Sequence, residues 1–260
     1  MLKKSRISFF LFSTLVFILS IFLYLDSNKS LRVAHAGGQY NNKTYPNSIA
    51  SINFNSKHTK FFELDLQLTK DKRLVCLHDA MTKSHDQLIK NRYYHEIEEV
   101  QNKYFHEIKD EIIKNNFCYD EILKNFLNDN DQILIITDFK TDNIEGLRFI
   151  KKYFDSEIDR FIPQIYYEDE YKKVKNLGFE KIIFTLYRIP NVSNDQISKM
   201  IKKMDLFALT MNPARLRSGI AKKIDKQNFF IYVHTVNSIL RLLQYKLFFG
   251  ADEIYTDNLF

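Results

Sequence analysis

Short apolar runs separated by amphipathic stretches recur along this chain from residue 31 onward, and that alternation restricts the fold more than any other feature. Strand-like runs occur at 31–36, 61–66, 74–77, 133–139, 161–166, 181–186, 206–211, 229–235 and 253–256. Helical stretches with apolar residues three or four apart lie between most of them, as at 143–154, 194–204 and 238–247. Such alternation predicts parallel strands joined by helical crossovers. An open doubly wound sheet competes with a closed barrel, but no glycine-rich phosphate loop opens a first helix, the usual sign of a dinucleotide-binding sheet. Nine runs are one too many for an eight-stave barrel. The connection 67–73 is too short for a parallel crossover, which needs about a dozen residues. The runs 61–66 and 74–77 are therefore expected to form a hairpin turning near Asp71. The remaining runs build an α/β fold, a (β/α)8 TIM barrel, for which about 250 residues is the usual size.

The hairpin carries the chemistry. In FELDLQLTKDKRLVCLHD (62–79), Phe62, Leu64, Leu66 and Leu68 alternate with Glu63, Asp65, Gln67 and Thr69. A period of two puts Glu63 and Asp65 on the same face of the strand. On a solvated strand they would be an ordinary wet face. Inside a barrel both faces are covered, so these carboxylates need partners or a cation. Oxygen ligands of this kind favour Mg²⁺ or Ca²⁺. The turn near Asp71 would return His78 toward Glu63.

The chain has 260 residues, 45% of them hydrophobic, and a net charge of +6, part of which lies in Lys3, Lys4 and Arg6. Neither a basic stripe nor a zinc-finger or RNA-binding motif is present, which argues against a nucleic-acid partner. Residues 7–25 (ISFFLFSTLVFILSIFLYL) carry no charge and are long enough to cross a bilayer as a helix. The basic residues before them predict a cytoplasmic N-terminus and an extracytoplasmic remainder. A cleaved signal peptide is the rival reading, but the run ends in bulky side chains with no small-x-small site. The expected organisation is a cytoplasmic N-terminus, transmembrane anchor and spacer over 1–29 and a barrel over 30–260, in a single-pass protein of the cell membrane. Cys76 lies in an apolar strand and Cys118 far from it in sequence, a pair that reads as readily as two buried thiols as a bridge. A bridge is possible outside the cytoplasm but is not assigned from the sequence. The tyrosine-rich segment 83–116 has an approximately helical apolar stripe. It reads as amphipathic helix covering the barrel, with a substrate-shaping insertion as the alternative.

Several segments, in order, resemble the glycerophosphodiester phosphodiesterase family: VAHAGG (33–38), YPNS (45–48), FELDLQLTKDKRLVCLHD, CYDEIL (118–123), ITDFK (136–140), VHTVN (233–237) and ADEIYTD (251–257). The resemblance implies a metal-dependent phosphodiesterase acting on a glycerophosphodiester or related alcohol phosphodiester. Such a substrate is a deacylated lipid headgroup or a glycerol-phosphate group of an envelope polymer. It implies His35 and His78 as the catalytic acid–base pair, since histidine can do either near neutrality. Glu63, Asp65 and Asp138 would hold a divalent metal, Mg²⁺ or Ca²⁺, a Lewis acid toward a phosphate oxygen. Lys140 would add positive charge to the phosphoryl group, and Asn47 and His234 match substrate-contacting positions. The chain departs from the family pattern where Ala36 stands for its first Arg, Tyr45-Pro46-Asn47 for its Pro-Glu-Asn with only the Asn kept, Asp138 for a Glu and His234 for a Trp. Arg188, just beyond a strand, is the expected replacement phosphate contact. Two other readings share the fold: a phospholipase-C-like lyase that stops at a cyclic phosphate, and a decayed barrel serving as a binding or scaffold module. The sequence does not indicate an oligomeric state. His58, His85, His95 and His106 fall in polar contexts and read as surface.

Overall fold

The computed structural model describes residues 29–78, 100–224 and 228–259. Nine strands follow in chain order: β1 Val33–Ala34, β2 Phe61–Leu68, β3 Leu74–Cys76, β4 Leu134–Phe139, β5 Phe161–Ile165, β6 Ile183–Thr185, β7 Ala208–Met211, β8 Phe230–Val233 and β9 Glu253–Thr256. Their order is β1-β9-β8-β7-β6-β5-β4-β2-β3, and a further pairing of β1 with β2 closes the ring. Every pairing within the ring is parallel. β3 alone runs antiparallel, with Leu66 opposite Cys76 and Leu68 opposite Leu74. The expected hairpin and eight-strand parallel barrel are both present.

Alternation on β2 sorts its side chains. Phe62, Leu64, Leu66 and Leu68 join the large core between barrel and helices, while Glu63, Asp65 and Gln67 point inward and are also buried. Val33, Phe61, Ile136, Ile162, Ile183, Ala208, Tyr232 and Tyr255 fill the barrel interior with a second apolar cluster. Polar inward residues therefore collect above that plug, at the C-terminal ends of the strands. The helix Asn143–Tyr153 lies so close to β4 that a Cβ on Gly146 would come within 2.3 Å of the Phe139 ring. At the opposite end, buried Glu253 accepts from Arg32 at 3.3 Å and from Lys246 at 2.6 Å, tying β1, β9 and the helix Ile239–Phe249 together.

The structure answers one open question and leaves two segments partly or wholly outside the described residues. Cys76 and Cys118 are bonded, with Cα atoms 5.0 Å apart. Both are buried as expected of apolar contexts, but the hairpin brings β3 beside Tyr119, a proximity that a separation of 42 residues conceals. Within the 83–116 segment, residues 83–99 lie outside the described residues; the helix Phe105–Lys114 buries Phe105, Ile108 and Ile112 against Val75 and Leu77. The apolar run 7–25 also lies outside the described residues, and among those described no helix is long and apolar enough to cross a membrane.

Candidate active site

Glu63, Asp65 and Asp138 are buried and offer carboxylate oxygens within 4.8 Å of one another. Parallel pairing sets this up: Asp65 on β2 lies directly opposite Asp138 on β4. Each acid is fixed differently. Glu63 Oε2 accepts the Ala36 N–H at 2.7 Å, whereas its buried Oε1 has no hydrogen-bond partner among the described residues. Asp65 is gripped by Asn47, whose Nδ2 donates to Oδ2 at 2.8 Å and whose Oδ1 accepts the Asp65 N–H at 3.0 Å. Asn47 itself is fully buried. Expected among the substrate contacts, it sits with both ends of its amide on Asp65. Asp138 Oδ1 accepts from the hydroxyls of Tyr166 and Tyr187, the latter at 3.2 Å.

Lys140 Nζ sits between two of the acids, 2.6 Å from Asp65 Oδ1 and 2.7 Å from Asp138 Oδ2. The electrostatics follow from burial and these neighbours. Burial, then the adjacent Asp65 charge, pushes Glu63 up to about 8. Burial acts the same way on Asp65 and Asp138, but the Lys140 ammonium outweighs it and both are lowered. A buried carboxylate with an unpartnered oxygen, beside two others on one face, is a donor set that fits a hard divalent cation.

The first histidine is held by the far edge of the barrel. His35 Nδ1 pairs with Asp257 Oδ1 at 2.7 Å, and its Nε2 lies 4.0 Å from Glu63 Oε2. Asn237 fixes Asp257, donating to its Oδ2 at 2.5 Å and accepting its N–H at 2.8 Å. Burial opposes the imidazolium, but the Asp257 hydrogen bond and the Glu63 charge prevail, raising His35 to about 9. The hairpin returns His78 to the same end, where the Leu77 N–H donates to Asp65 O at 2.8 Å. The ring of Tyr45 stands between the histidines, edge-on to His35 at 4.8 Å and to His78 at 5.2 Å.

His234 Nδ1 meets Thr210 Oγ1 at 2.9 Å, and its ring lies between those of Tyr187 and Tyr255 at 5.7 and 6.0 Å. Burial lowers it to about 4, which keeps it neutral at pH 7. Arg188 packs its guanidinium over the Tyr166 ring at 3.6 Å and donates to Phe139 O at 3.2 Å. His106 is exposed and His58 half-buried, while His85 and His95 lie outside the described residues.

Asp257, Asn237, Tyr45, Tyr166 and Tyr187 were not singled out by sequence reasoning as site residues. Strand parity carried a signal for three of them: Tyr255 and Asp257, Gln164 and Tyr166, and Thr185 and Tyr187 are two apart at strand ends. The tyrosines were hidden by their type, which reads as core.

The family model for the glycerophosphoryl diester phosphodiesterase family matches residues 35–259. Among solved structures, the fold is similar to a glycerophosphodiester phosphodiesterase from Parabacteroides distasonis (20% identity, TM-score 0.65, 86% of this chain and 91% of that one covered). It is also similar to one from Thermotoga maritima (16%, 0.62, 88% and 93%). A third is an Oleispira antarctica phosphodiesterase in complex with the product sn-glycerol-3-phosphate (14%, 0.60, 86% and 92%). No curated protein matches the chain. With the match spanning every element from His35 to the end of the barrel, this chain belongs to the glycerophosphoryl diester phosphodiesterase family and is a phosphodiesterase.

Proposed function

We propose that the protein hydrolyses a glycerophosphodiester at the ends of β1, β2, β4 and β9, using His35 and His78 for proton transfer and Glu63, Asp65 and Asp138 to hold Mg²⁺ or Ca²⁺. The observation that carries this reading is the meeting of the acid cluster with His35, whose Nε2 is 4.0 Å from Glu63 Oε2. Asp257 engages Nδ1 and so fixes the tautomer of His35, leaving Nε2 as the nitrogen that exchanges a proton with substrate. His78 approaches from the hairpin, beyond the Tyr45 ring, and serves the other proton transfer. Lys140 is positioned to bring positive charge to a phosphate oxygen. A divalent ion bound by the three acids supplies Lewis-acid stabilisation of charge on the phosphoryl oxygens. His234, neutral and hydrogen-bonded to Thr210, is placed to donate or accept at an alcohol rather than to pair with phosphate. Arg188 is a weaker phosphate ligand than its charge implies, because its guanidinium is committed to Tyr166 and Phe139 O.

The sn-glycerol-3-phosphate product of the Oleispira relative supports a substrate in which glycerol phosphate is the retained half and an alcohol leaves. A bridged pair of cysteines fits an oxidising compartment, which supports the reading of residues 7–25 as an anchor with the barrel outside the cytoplasm. The test is a panel of phosphodiesters, including glycerophosphocholine, glycerophosphoethanolamine and a glycerol-phosphate polymer, followed by phosphorus NMR. The expected result is a stable phosphomonoester from the wild type, with turnover down about 100-fold or more in His35→Ala and in His78→Ala. Unimpaired turnover in both variants rejects the assignment, and an end product that stays cyclic identifies a lyase.

A further inference from the structure

The third acid of the cluster, Asp138, is surrounded by an arrangement that the proposed chemistry does not use. Asp138, next to last on β4, pairs opposite Asp65. Its Oδ1 takes two phenol hydroxyls: Tyr166, at the end of β5, and Tyr187, just past β6. Tyr166 is fully buried, so its hydroxyl has no water to turn to. The two rings meet edge to face at 5.6 Å, and Arg188 lies flat over the Tyr166 ring at 3.6 Å while its Nη2 donates to Phe139 O. Two neighbouring staves thus converge on one oxygen of a carboxylate carried by the next.

We propose that Tyr166 and Tyr187, braced by Arg188, are positioning residues that hold Asp138 in the orientation a divalent ion requires. The proposal rests on reading Glu63, Asp65 and Asp138 as the ion's ligands. A carboxylate is free to rotate about its Cβ–Cγ bond unless both oxygens are engaged. Lys140 occupies Oδ2 at 2.7 Å, but an ammonium on a flexible stem fixes a position poorly. Two hydroxyls arriving from neighbouring strands fix Oδ1 and with it the plane of the group. Oδ2 would then be the oxygen of Asp138 left to help hold the ion. Outer partners of this kind orient the ligand and tune affinity. Arg188 acts through Tyr166, which accounts for a positive residue that sits beside the site yet turns a donor to the backbone and its face to a ring.

The test titrates Ca²⁺ alone, then Mg²⁺ alone, into the purified full-length chain by calorimetry, with thermal melts run in parallel. Tyr187→Phe, half-buried and isosteric, and Tyr166→Phe are each expected to weaken ion affinity about 10-fold. Turnover at saturating ion should recover most of its wild-type value. Tyr232→Phe is the control for simply losing a buried phenol hydrogen bond, since its hydroxyl donates to Leu31 O at 2.9 Å on the opposite side of the apolar plug; its ion affinity should not change. Asp138→Ala separates the two levels of the argument. If Asp138→Ala loses the ion while both tyrosine variants bind it as the wild type does, the positioning role is overturned and the metal reading stands. If Asp138→Ala binds as the wild type does, or the wild type binds neither ion, the metal reading fails and the positioning role falls with it. Should Tyr166→Phe fail to fold, Tyr187→Phe decides the matter alone.

Discussion

Asn47 shows how a residue can matter to chemistry through the acid it holds. Its backbone is held by the Ala36 carbonyl and the Cys118 N–H, at 2.9 Å each, while its amide takes both the main chain and the carboxylate of Asp65. Replacing it with alanine leaves a buried carboxylate oxygen and an N–H unpaired, a cost of about 1–3 kcal/mol for each orphaned group. Asn47→Ala is expected to lower the melting temperature and to weaken ion binding about 10-fold; unchanged affinity in a folded variant rejects the role. Asp257 acts similarly on His35. Asp257→Asn keeps the shape but removes the charge that favours the imidazolium, so turnover should fall about 100-fold, with little change in KM; full activity at neutral pH contradicts it. His234 gives a prediction about stability and pH. Its folded value of about 4, lowered by burial, lies below the unfolded value of about 6.5. Between those values the unfolded chain binds the extra proton, so stability falls as the pH drops through that window. His234→Asn should flatten that part of the curve in melts followed from pH 7 to 4, and an unaltered slope shows that other groups set it.

At the scale of elements, the β2–β3 hairpin joins fold to function, and the disulfide secures it. Cys76 ends β3, two residues before His78, and Cys118 hydrogen-bonds to Asn47 O. The bond therefore cross-links the piece carrying one histidine to the piece that aligns Asp65. A bridge closing a loop of this size contributes about 2–4 kcal/mol. The Cys76→Ser, Cys118→Ser double variant should lose that much in denaturant unfolding and also show weaker ion binding. Equal stability with and without reductant counts against the bridge. Much of this region was legible in the sequence: the period of two in FELDLQL sent Glu63 and Asp65 inward, and the short 67–73 connection forced the hairpin. The bridge was not legible, because nothing between Cys76 and Cys118 marks where the chain turns back. Nor was the Asn237–Asp257–His35 chain, which depends on barrel closure setting β1 beside β9. Motif matching supplied the residues of that chain, and only tertiary structure supplied the bonds between them.

For the whole molecule, the ends of the barrel divide the labour. Apolar side chains and the Arg32–Glu253–Lys246 cluster stabilise one end, and the polar groups gather at the other, where parallel strands deliver their last residues. The chain enters at the first of these ends, before β1, so an anchor formed by residues 7–25 would tether the barrel by the end opposite its site. Protease added outside intact cells is expected to degrade the barrel; complete protection contradicts the proposed extracytoplasmic location. Eight-strand closure was legible from the alternation of runs only together with the lack of a glycine-rich phosphate loop, which set the competing open doubly wound sheet aside. The tyrosine clamp on Asp138 was not, because phenols at strand ends read as core until the opposing carboxylate is in place. The account turns on one cluster doing one reaction with one kind of cofactor. The most direct measurement is therefore phosphomonoester release from a glycerophosphodiester by chelator-treated protein, before and after adding Mg²⁺ or Ca²⁺. The account predicts negligible release without the ion and full recovery with it, and no recovery in Glu63→Gln; release that is indifferent to chelation contradicts it.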